Sequence, residues 1–127
     1  MLTPEVAEAI AELKQVFPDR EMTAEEDGHG GAYVIVPDLD LGPQYQPARS
    51  WIGFQISYQY PLADVYPHFT DPSLARADGQ PLGAGFGTVH WRERQVTQIS
   101  RRSNRWEPAV DTAAAKLAKV LQWLSER

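Results

Sequence analysis

The chain has no cysteine among its 127 residues. Disulfides, thiolate metal ligands and a thiol nucleophile are therefore excluded. A disulfide-free chain also suits a cytoplasmic location. Histidine is scarce: His29, His68 and His90 are far apart and none has a ligand-like neighbour, so no metal site is expected. Long apolar runs are absent as well. The longest clean one, Ala32 to Val36, falls far short of the roughly 20 residues of a membrane helix, so no membrane association is expected. The start, Met1-Leu2-Thr3-Pro4-Glu5, has no apolar signal core.

Several familiar chemistries lack their residues. Asp38-Leu39-Asp40-Leu41-Gly42 opens like a calcium loop, but the downstream acids are missing. Gly83-Ala84-Gly85-Phe86-Gly87 has neither the spacing nor the lysine of a phosphate loop. Ser100 and Ser103 have no histidine–acid partners that would signal a hydrolase triad. No cofactor is expected.

What is present is a balanced globular composition, 43% hydrophobic, in a length that fits one domain over residues 1–127. The net charge of −5 is unevenly spread. Ten acids face only Lys14 and Arg20 between Glu5 and Asp40, whereas Arg92, Arg94, Arg101, Arg102 and Arg105 face only Glu93. The arginine stretch reads either as a solvated surface or as a contact for a polar partner. The acidic balance of the whole chain argues against nucleic acid.

Hydrophobic periodicity predicts a first helix. Thr3 is placed to cap it, Pro4 fits its first position, and Val6, Ile10, Leu13 and Phe17 share a face. Glu25 to Gly31 reads as a turn between strands, Ala32 to Val36 as a short buried strand, and Pro37 to Pro47 as a loop. Trp51 to Tyr58 alternates, with Ile52, Phe54, Ile56 and Tyr58 on one face. Val65 to Thr70, interrupted by Pro67, reads as an edge strand. Asp71 to Gly87 is turn-rich, and Val89 to Ile99 reads as one strand or extended segment. A last helix runs from about Thr112 to Leu124, with Leu117, Val120, Leu121 and Leu124 inward and Lys116 and Lys119 elsewhere. This order gives an α+β class: an N-terminal helix, a meandering antiparallel sheet and a C-terminal helix.

Phe54-Gln55-Ile56-Ser57-Tyr58-Gln59-Tyr60-Pro61 is similar to the strand and Tyr-Pro turn of ubiquitin-conjugating enzymes. Tyr66-Pro67-His68-Phe69 fills the place of that family's next proline-bearing strand, and Trp106-Glu107-Pro108 resembles its Trp-x-Pro before a helix. A bacterial branch, the prokaryotic ubiquitin-conjugating-like family E, is closer still. Its ordered motifs are matched by Val34-Ile35-Val36-Pro37, Pro43-Gln44-Tyr45, Asp78-Gly79-Gln80-Pro81 and Ser100-Arg101-Arg102, with Arg102 standing where the branch has histidine.

The resemblance implies a UBC-like fold and a partner that is a ubiquitin-like protein, its activating enzyme, or both. Counting back from Trp106 by the enzymes' spacing places the cysteine slot at Gln98 and the slot of the oxyanion-supporting asparagine at His90. An amide is a poor nucleophile, so a thioester is excluded. The expectation is a binding or accessory module of a bacterial ubiquitin-like conjugation pathway, contacting its partner through Arg94, Gln98, Arg101 and Arg102. The alternative is an atypical enzyme carrying the ubiquitin-like protein as an oxyester on Ser100, with His90 as base. A UBC-like scaffold with no ubiquitin-like partner is the third possibility.

Overall fold

A computed structural model describes residues 1–127. Helix α1 (Pro4–Val16) starts where expected: the Thr3 hydroxyl accepts from the Val6 N–H at 3.1 Å, and Pro4 takes the first turn. The strands are β1 (Thr23–Glu26), β2 (Ala32–Asp40), β3 (Tyr45–Gln46), β4 (Arg49–Ile56), β5 (His68–Thr70), β6 (Ala75–Arg76), β7 (Phe86–Trp91) and β8 (Arg94–Ile99). Helix α2 (Ala113–Ser125) is capped by Thr112, whose hydroxyl accepts from the Ala115 N–H. Six strands form one sheet in the order β1-β2-β4-β5-β8-β7, every pairing antiparallel. Strands β3 and β6 form a small second ladder.

Alternation sorts the large sheet into two faces. Val34 and Val36 of β2, Ile52, Phe54 and Ile56 of β4, and Ile99 of β8 join Val6, Ile10 and Leu13 of α1 and Leu117, Val120 and Leu124 of α2 in one core. The opposite face carries Tyr33, Trp51, Gly53, Phe69, Val96 and Trp91. There Phe69 and Trp91 stack at 4.5 Å, and the Trp91 ring lies over Gly53, where a Cβ would come within 2.7 Å of it.

Four readings of the sequence need correction. Strand β2 does not stop at Val36 but reaches Asp40. Pro37 and Asp38 sit in a register shift between Val36 and Leu39, beyond Ile35, where β1 stops pairing. The strand therefore tolerates a residue without an N–H. Strand β5 is not an edge: it lies between β4 and β8, is buried throughout, and begins just after Pro67. Tyr58 lies past the end of β4 and is exposed, unlike Ile52, Phe54 and Ile56. The stretch from Val89 to Ile99 is the greater part of a hairpin, turning at Arg92 and Glu93, both with positive φ (52° and 68°). That is the conformation of a two-residue type I′ turn, normally signalled by Asn or Gly.

The sequence landmarks meet in space. The Trp106 indole N–H donates to the Pro61 carbonyl at 2.7 Å, and its ring leans on Tyr60. Tyr60 is buried, and its hydroxyl accepts from the Ala113 N–H at the start of α2. Trp106 itself is half-buried, packed at the margin of the core.

Candidate functional site

Strand β8 ends at Ile99, and the chain then leaves the sheet and crosses towards α2. Gln98 lies inside the ladder, opposite Phe69 on one side and Gly87 on the other. Its amide donates to the Ser100 hydroxyl at 2.8 Å. The counted cysteine slot is thus a strand-interior position with a side chain already engaged. The Ser100 N–H donates to the Gly85 carbonyl at 2.8 Å, which fixes its backbone to the start of β7.

His90 is not brought to Ser100. It stands opposite Gln95, five residues along β8 from Ser100, a separation of roughly 16 Å at strand rise. Arg94, opposite Trp91 at the hairpin tip, is remote from the strand end as well. The expected six residues therefore divide: Gln98, Ser100, Arg101 and Arg102 gather at the end of β8, while His90 and Arg94 lie at the tip.

Beyond Ser100 the chain forms one wall of an open cleft of about 210 Å³, with α2 as the other. Arg101, Arg102 and Arg105 line it, together with Lys116 and Lys119. Two of the arginines rest on aromatic rings: the Arg101 guanidinium is 5.4 Å from the centre of Trp123, and that of Arg102 is 4.9 Å from the centre of Tyr66. Neither is in an ion pair. A guanidinium held by its flat face keeps its in-plane N–H donors free for a carboxylate.

The helical periodicity sets Lys116 off the inward face of α2. Instead its side chain is 4% exposed, and its ammonium donates to both oxygens of Asp64 (3.1 and 3.0 Å) and to the Ser103 hydroxyl (2.7 Å). All three of its protons are thereby used. The Ser103 N–H also donates to Asp64 at 2.9 Å. Burial lowers the Lys116 pKa, while the Asp64 carboxylate beside it opposes that shift. Lys116 anchors the 100–105 segment to α2, and Arg101 and Arg102 line the cleft with their side chains exposed.

His68, which sequence reasoning passed over, lies fully buried on the helix side of β5. Its ring is tilted against Phe54 at 5.1 Å, and neither ring nitrogen has a hydrogen-bond partner. Its pKa is lowered to about 3, chiefly by burial and further by the Lys116 charge, with Asp64 opposing. It is a neutral core residue rather than a proton carrier at ordinary pH.

No group of histidine, aspartate and glutamate side chains is arranged to hold a metal ion, and no helix is long and apolar enough to cross a membrane. Residues 12–127 match the family model described as Prokaryotic E2 family E. No curated protein and no solved structure matches.

Proposed function

The chain belongs to the prokaryotic E2 family E, and from that premise we propose that it is a ubiquitin-conjugating-like binding or accessory module that engages a ubiquitin-like protein or its activating enzyme without carrying an acyl group. The observation that carries this reading is the environment of Ser100. In a chain without cysteine, the hydroxyl nearest the expected slot contacts an amide rather than a base, and His90 is roughly 16 Å away. Serine needs a base within hydrogen-bond reach and a donor for the oxyanion, and Gln98 supplies no base. Arg101 and Arg102, steadied on Trp123 and Tyr66, supply charged donors suited to a partner's carboxylate.

The test is incubation with ATP, an activating enzyme and a ubiquitin-like protein from the same source. The expected result is a non-covalent complex on size exclusion, with no covalent adduct on denaturing gels. A hydroxide-labile, reductant-resistant adduct overturns the reading in favour of an oxyester on Ser100 or a neighbouring hydroxyl. Neither complex nor adduct leaves a UBC-like scaffold serving some other partner.

A further inference from the structure

The cleft between the 100–105 segment and α2 carries more positive charge than its surroundings neutralise. Arg101, Arg102, Arg105, Lys116 and Lys119 line it, and no aspartate or glutamate does. Three acids answer these cations from outside the cleft. Asp64 holds Lys116 at 3.0 Å, Asp111 lies 3.7 Å from Lys119, and Glu107 lies 3.9 Å from Arg105. Arg101 and Arg102 have no acid within ion-pairing distance, which leaves a surplus of two charges. The crowding is felt at Lys116. Burial lowers its pKa, Asp64 opposes, and the charges of Arg101 and Lys119 lower it further. An anion seated in the cleft relieves that repulsion.

The surplus and the donor geometry indicate which anion. A carboxylate carries one charge on two oxygens, and a single guanidinium fork uses both. A phosphate monoester carries a charge of about −1.5 to −2 near neutral pH and offers three acceptor oxygens, enough for two forks. Lys116 spends all three of its protons on Asp64 and Ser103, so the forks must come from the arginines. Arg101 and Arg102 rest by their flat faces on Trp123 and Tyr66, which leaves their in-plane N–H groups for such a ligand.

The shape of the cleft indicates what bears the phosphate. Its volume of about 210 Å³ is open to solvent and falls below the roughly 300–1,000 Å³ of small-molecule sites. Val120 is the one apolar residue in its lining. The rings on which a nucleobase would stack are taken, Tyr66 by Arg102 and Trp123 by both Arg101 and Arg127. The cleft grips a charged group and leaves its bearer outside. We propose that it binds a phosphorylated side chain on another polypeptide, with Arg101 and Arg102 as the two bidentate donors. The inference goes beyond the carboxylate contact described above because it requires a dianion, and it needs no ubiquitin-like partner.

The probe is a short capped peptide of glycine and alanine around one phosphoserine, titrated into the full chain and followed by backbone amide NMR. Saturable shifts at Arg101, Arg102 and Ser103 are expected, with a dissociation constant at or below about 1 mM. The same peptide with glutamate in place of phosphoserine should bind at least about tenfold more weakly, and with plain serine not at all. Arg101→Lys and Arg102→Lys keep the charge and lose the fork, and each should weaken the phosphopeptide roughly fivefold or more. Inorganic phosphate and AMP, which lack the peptide, should bind more weakly than the phosphopeptide. A glutamate peptide as tight as the phosphopeptide would make this a carboxylate site, and phosphate or AMP as tight would make it a small-anion pocket. Either result overturns the proposal. So do lysine variants that bind like wild type, shifts confined to other parts of the chain, or no binding at about 5 mM. The peptide arms use the unaltered protein and contain nothing ubiquitin-like, so their outcome is separate from that of the activating-enzyme assay.

Discussion

Helix α2 is held at its two ends by different chemistry. Near its start, a buried ammonium from Lys116 meets the Asp64 carboxylate and the Ser103 hydroxyl. At its finish, donors from distant segments receive the carbonyls that a helix terminus leaves unpaired. Tyr45 donates its hydroxyl to the Leu124 carbonyl at 2.8 Å, Gln44 donates its amide to the carbonyls of Leu124 and Ser125, and Arg76 reaches the Arg127 carbonyl. The small β3–β6 ladder supplies Tyr45 and Arg76, which gives an otherwise isolated pair of short strands its purpose. Both ends are satisfied, but they fail differently. Losing one neutral donor such as the Tyr45 hydroxyl leaves the Leu124 carbonyl its bonds from the Gln44 amide and the Arg127 N–H, whereas losing Lys116 leaves a carboxylate that is 16% exposed without its counter-charge.

The strongest way to sharpen this contrast is Lys116→Met. It should destabilise the protein by about 3–5 kcal/mol in urea unfolding, because Asp64 keeps its charge without its partner. Adding Asp64→Leu should recover a good part of that loss. A double variant no better than the single would show that the ion pair is not the source.

The next effect is acid sensitivity, which belongs to the Lys116 end alone. His68 has a folded pKa of about 3 against an ordinary 6.5, so the unfolded chain binds the proton more readily. Its contribution leaves stability untouched above pH 6.5 and removes it as pH falls from 6.5 towards 3, by up to about 1.4 kcal/mol per pH unit. Asp64 and Lys116 face the same region, so the measurement is the difference between wild type and His68→Leu across that range. The gap should widen in favour of the variant as pH drops, and parallel curves would show that His68 is not the sensor.

At the other end, Tyr45→Phe should remove about 1 kcal/mol, with no dependence on pH between 4 and 8. A loss as large as that of Lys116→Met would erase the contrast. Smallest of all, Arg101→Ala with Arg102→Ala should change stability by no more than about 0.5 kcal/mol per site. The same pair should weaken partner binding and flatten its salt dependence. Binding indifferent to both would leave them as solvated charges.

Both helices were legible because their signals are local. Thr3 and Thr112 occupy capping positions, Pro4 fits the first turn, and the apolar spacing runs to the ends. The Tyr60-Pro61 and Trp106-Glu107-Pro108 landmarks were legible as a pair, although their joining hydrogen bond was not. The β7–β8 hairpin was missed because Arg92 and Glu93 hold a turn that sequence rules reserve for Asn and Gly. Strand β5 was misplaced because Pro67 suggested an edge, yet the three residues after it are the ones that pair.

The candidate site was half readable. Gln98 and Ser100 are two apart, so period-2 alternation brings their side chains to one face. His90 was drawn towards Ser100 by counting along a chain that in fact reverses between them. The seating of Arg101 on Trp123 and Arg102 on Tyr66 joins residues distant in sequence, and no local pattern announces it. Lys116 was placed outside because a lysine on a helix is usually solvated, and only tertiary structure brings Asp64 to it.

The recess at Gly53 bears on how this sheet can vary. Trp91 at the hairpin tip occupies the space a side chain would need on β4, and a single added methyl would meet the indole at 2.7 Å. The hairpin is therefore keyed to its neighbour by an absence, and close-packed contacts of this kind leave little freedom to absorb extra volume. Substitution tolerance across the outer face is accordingly uneven. Gln55, exposed on the same face, gives up only a surface hydrogen bond to Asp27 when replaced, whereas a change at 53 must be matched by a smaller ring at 91. The two positions are expected to vary together in this chain's descendants, although they lie 38 residues apart in sequence.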